Sequence, residues 1–103
     1  MSIDHRTSAK TRVDSLIEML RADSAHARFQ SVIAECEALS RAIGAFHMEG
    51  IRFRMFNVDR LLSKGGLPLP AAAPGVFAEV RRELEAAGFH TRSHQAPPTA
   101  SST

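Results

Sequence analysis

The residues of this chain that could do chemistry gather in its middle third. His47 and Arg54 are seven residues apart, Ser40 lies seven before His47, and Cys36 four before that. At ~100° per residue, a helix places Cys36, Ser40, Ile43, His47, Gly50 and Arg54 in one narrow sector, with Gly44 and Gly50 each ~60° to either side of His47. A titratable ring flanked by missing side chains reads as a small pocket. There His47 and Arg54, ~10 Å apart along the axis, would hold an anionic ligand, with Ser40 and Cys36 further up the same line. Each interior glycine costs about 1 kcal/mol against alanine, which such a site would have to offset. The same residues also have a plainer reading. The glycines would admit a second helix, His47 would hydrogen-bond inside that interface, and Arg54 would pair with an acidic partner.

A second constellation is His90 with His94, in the segment HTRSH. Histidines at i and i+4 can share a metal ion on one helix. Gly88, however, should end a helix just before His90, so the two rings need not face one another. Cys36 and His47 are ~16 Å apart along a helix, too far for a nucleophile and base within one chain. Glu35 and Glu37 flank Cys36 and disfavour its thiolate, so it reads as a small buried apolar residue. The chain has no Glu-x-x-His pair and no glycine-rich phosphate loop after a strand. The reading leans away from an enzyme, and no cofactor is expected.

These residues need elements to hold them. The 103 residues are 44% hydrophobic and 23% charged, the composition of a folded single domain with a modest core. Thirteen Lys and Arg stand against 11 Asp and Glu, too even a balance to indicate a nucleic-acid binder, although Arg52, Arg54, Arg60 and Lys64 keep that class open. One cysteine fits a reducing compartment, and the chain shows no membrane span or signal-peptide pattern, so a cytoplasmic location is expected.

Residues 1–10 are polar and without period, and read as a flexible N-terminus. Thr11 with Asp14 suggests a helix start, and Val13, Leu16, Ile17 and Leu20 form one buried face ending near Ala22. From Asp23 or Ser24 an apolar set including Phe29, Val32, Ile33, Leu39, Ile43, Phe46, Ile51, Val58, Leu61 and Leu62 predicts a long helix over 24–64, stopped by Gly65 and Gly66. Breaks near Gly44 or Gly50 would kink it. Pro74 opens a third helix with Val76, Phe77, Val80, Leu84 and Ala87 inward, closed by Gly88. The helical domain is thus placed at 11–94, with a disordered Pro/Ser/Thr-rich tail over 95–103. The alternative is a small α/β domain with strands near 51–56 and 89–93, but two strands do not make a stable sheet.

An unbroken helix over 24–64 would be about 60 Å long, and its apolar arc is wider than two short helices can cover. That predicts an all-α homodimer, an antiparallel helical bundle with Phe46, Ile51, Phe53, Met55, Phe56 and Val58 at the interface. The function that follows is binding to another protein, as a small regulator or adaptor. The alternative is a sensor or carrier that takes a small ligand or metal at His47 and Arg54.

Overall fold

Helix α1, His5–Ala22, starts six residues before Thr11. Its cap is Asp4, whose carboxylate accepts the Thr7 backbone N–H at 3.1 Å and the Thr7 hydroxyl at 2.6 Å. These bonds, the Thr7 hydroxyl first, hold the Asp4 carboxyl below its ordinary value. The helix can extend through a polar segment because Ala9, one turn before Val13, is fully buried: a small residue there lets a neighbour approach. Residues 5–10, expected to be flexible, are therefore helical. The computed structural model describes residues 4–89, all helix and connecting loop, so the predicted tail and most of the proposed strand at 89–93 lie outside the described residues.

After α1, Asp23 accepts the Ala25 N–H at 2.8 Å and a single 3₁₀ turn, His26–Phe29, leads into α2, Gln30–Gly44. The expected long helix is two helices. The chain reverses at residues 45–47 and α3, Met48–Lys64, runs back along α2. Residues 51–56 lie inside α3, so the strand alternative there gives way to helix. Gly66 takes the left-handed conformation after α3, as its position predicted. A loop through Pro68 and Pro70 then reaches α4, Ala73–Ala86, with Pro74 in its first turn.

Helix α1 is central, packing on both α2 and α4, while α3 packs on α2 at the edge. Cross-helix pairs fix the directions. Arg6 meets Ile43 and Arg21 meets Glu37, Glu35 meets Arg54, and His5 meets Glu83, so each packed pair is antiparallel. One apolar core runs through the four helices, with Leu16, Leu20, Phe29, Leu39, Ile43, Ile51, Met55 and Leu84 fully buried. Burying each such side chain stabilises the fold by about 1.5–3 kcal/mol. Ile51, Met55 and Val58, assigned from sequence to an interface with a second copy, are buried in this core instead. The chain's own α2 thus covers these three residues of the arc that argued for a dimer, while Phe46 and Phe53 stay exposed.

Candidate functional site

The corner joining α2 to α3 is built by a specific hydrogen-bond pattern. The Phe46 N–H donates to the Ile43 carbonyl at 3.1 Å and the His47 N–H to the Ala42 carbonyl at 3.0 Å. This is the paired closure of a Schellman motif, which needs a left-handed residue at the position Phe46 occupies. Phe46 adopts it, with φ 60°, the one non-glycine residue with positive φ among those described. For a bulky side chain this conformation costs about 1–2 kcal/mol. Neighbours hold it in place. The Arg6 guanidinium donates to the carbonyls of Ile43 at 2.9 Å and Gly44 at 3.4 Å, satisfying the negative end of α2. The same guanidinium lies 5.1 Å from the centre of the Phe46 ring, and Phe46 leans on Phe89 at 5.4 Å. Asp4, His5, Arg6, Phe46, Ala86, Ala87 and Phe89 line a shallow groove of about 320 Å³ here.

The predicted line of site residues is dispersed by the chain reversal. His47 is the N-cap of α3, its Nδ1 accepting the Gly50 N–H at 2.8 Å, which requires the unprotonated nitrogen. Gly50 belongs to this cap. A Cβ there would lie 2.6 Å from His47 Nδ1, so the missing side chain makes room for the ring. Arg54 reaches across to Glu35, at 3.0 and 3.3 Å, and Asn57 donates to the same carboxylate at 3.2 Å. Ser40 donates to Asp14 at 2.7 Å, tying α2 to α1. Cys36 is buried, and burial first, then Glu35 and Glu37, pushes its thiol up to about 12. Each of the four has its own neighbour and its own task.

His90 and His94 lie outside the described residues. Among those described, no three His, Cys, Asp or Glu side chains converge as a metal site would need. The basic residues of α3 and α4 mostly meet acids: Arg52 with Glu49 at 4.0 Å, Arg81 with Asp59 at 3.6 Å, and Arg82 with Glu79. No helix is long and apolar enough to cross a membrane.

Sequence reasoning named Phe46 and Phe53 as contact residues but missed Met48 and did not separate this exposed apolar segment from the buried face. Phe46, Met48 and Phe53 are 61%, 50% and 43% exposed, and are the large apolar side chains left outside the core among the described residues. All three fall within residues 46–53. On α3, Phe53 and the half-buried Phe56 point away from the face that Ile51, Met55 and Val58 bury against α2. The signal was present in the sequence: Phe53 sits ~200° around the helix from Ile51, but one very wide arc absorbed both. Comparison of the chain with protein-family models, curated proteins and solved structures finds no match in any of the three.

Proposed function

We propose that this chain works by binding another protein, as a regulator or adaptor, and carries out no chemistry of its own. The supporting observation is the concentration of exposed large apolar side chains in one stretch of chain. Single exposed apolar residues are ordinary, but three within eight residues at a corner and along an edge helix suit a contact surface. Helix α3 has α2 on one side only, so its outer face is open to a partner's apolar ridge. Phe53 and Phe56 would be the anchors on that face, with the Arg54 guanidinium, 5.0 Å from the Phe53 ring, stiffening one of them.

The test is affinity capture from the host with the wild-type chain and with Met48→Ser/Phe53→Ser, both confirmed helical by circular dichroism. The proposal expects a protein retained by the wild type and lost, at least tenfold, with the double variant. Equal retention by both, or no retained protein, would count against this surface as the working part.

A further inference from the structure

The chain divides at residues 45–47 into a first half, whose helices α1 and α2 pack on each other, and a second half, α3 and α4, which is held mainly by the first. Helix α1 packs on α4 and α2 packs on α3, whereas α3 and α4 make little contact with one another. Between helices, ion pairs join the two halves, beside Arg21 with Glu37 within the first and Arg81 with Asp59 within the second. Arg54 of α3 meets Glu35 of α2, and Glu83 of α4 meets both His5 at 2.7 Å and Arg12 at 3.7 Å on α1. Every one of these contacts would survive if the second half were supplied by another copy. The link between the halves is three residues long and contains Phe46 in its left-handed conformation.

The sequence across the link also supports an unbroken helix. The buried residues of α2 and α3, from Val32 to Val58, would all lie within an arc of roughly 160° on one continuous helix. Straightening residues 45–47 would free Phe46 from positive φ and add backbone hydrogen bonds where α2 now stops. It would also give up the Arg6 bonds to the Ile43 and Gly44 carbonyls and the ring contact with Phe89. Short, strained links between mutually packed halves are what exchange of elements between copies requires.

We propose that the α2–α3 corner is a hinge through which two copies of this chain exchange their α3–α4 halves, forming a domain-swapped dimer with one continuous helix over 30–64 in each chain. The partner is a second copy of this chain, and the contact surfaces are those already packed within one chain. The outer face of α3 stays exposed in the swapped form, so the inference stands apart from the binding surface at Met48 and Phe53.

Charge reversal across the α2–α3 contact tests it. Glu35→Arg puts two arginines together in the closed chain, and Arg54→Glu puts two glutamates together. A swapped heterodimer of the two variants relieves both clashes. One of its α2–α3 contacts brings the two introduced charges together as an opposite pair, and the other restores the native pairing of Glu35 with Arg54. The variants are unfolded together, refolded at high protein concentration and weighed by native mass spectrometry, each carrying a distinct mass tag. The expected result is a heterodimer at least tenfold enriched over either homodimer. Phe46→Ala and Phe46→Gly, which lose the same ring, should then differ. Alanine, poor in left-handed conformation and good in a helix, should dimerise at least tenfold more strongly than glycine. Monomers throughout, or dimers with no heterodimer preference and no difference between the two Phe46 variants, would overturn the proposal.

Discussion

Helices α2 and α4 end in the same way with different residues. At α4 the Gly88 N–H bonds to the Glu85 carbonyl and the Phe89 N–H to the Leu84 carbonyl, as the Phe46 and His47 N–H groups bond at α2. Gly88, at φ 97°, takes the left-handed position without a Cβ to object, and Phe89 after it folds into the core. At α2 the same position holds a phenylalanine that stays outside. The end of α4 is therefore set by its own sequence. The end of α2 is set by neighbours: Arg6 on its carbonyls, His47 starting the next helix, and Phe89 under the ring. One terminus is a local stop and the other a tertiary one.

The largest expected contrast is between the two aromatic rings that touch. Phe89→Ala empties a buried position and should cost about 3–5 kcal/mol in denaturant unfolding, while Phe46→Ala should cost less than about 1 kcal/mol. Next are the left-handed positions themselves. Gly88→Ala should destabilise by about 1 kcal/mol, and Phe46→Gly should be more stable than Phe46→Ala in dilute monomer by a similar amount. Glycine should therefore be the more stable of the two at both corners, as left-handed positions require; alanine equal to or better than glycine at position 46 in the monomer would contradict the corner.

The α3 cap sharpens this further. His47→Ala should cost about 1 kcal/mol and His47→Asn much less. Gly50→Ala, normally stabilising in a helix, should gain nothing while His47 is present, because its Cβ would displace the capping ring. In the His47→Ala background the same change should stabilise, so a double-mutant cycle reads the contact directly.

The smallest effect is on pH. The Glu83 carboxyl is held below its ordinary value of 4.5, first by the hydrogen bond from His5, with Arg12 contributing charge. A lowered carboxyl contributes stability above its unfolded value and loses it as pH falls through the folded one. Acid titration should therefore weaken the α1–α4 contact below about pH 4.5, and Glu83→Gln should remove that part of the slope.

These contrasts explain what the sequence made legible. The inner faces of α1 (Val13, Leu16, Ile17, Leu20) and α4 (Phe77, Val80, Leu84) were readable because their period is helical and their stops are punctuated. Gly66 and Gly88 announced the ends of α3 and α4 for the same reason. A break near Gly44 was legible, but the full reversal at 45–47 was not, because its left-handed residue is phenylalanine and Gly44 itself sits inside the last turn. With that reversal unseen, His47 and Arg54 stayed on one imagined line, and buried Ile51 was grouped with exposed Phe53. Likewise the Asp4 cap was visible in sequence, but no apolar stripe drew attention to it before Val13.

The chain reversal at residues 45–47 is the centre of this account, and a distance measures it. Spin labels on Ser31→Cys and Arg60→Cys, both exposed positions, can be read with Cys36 left in place, since its buried thiol, pushed up to about 12, will not take the label in the folded chain. In dilute monomer the hairpin predicts a separation under about 20 Å, the spacing of adjacent packed helices plus the labels. A separation near ~44 Å, the length of 29 residues of unbroken helix, would contradict it.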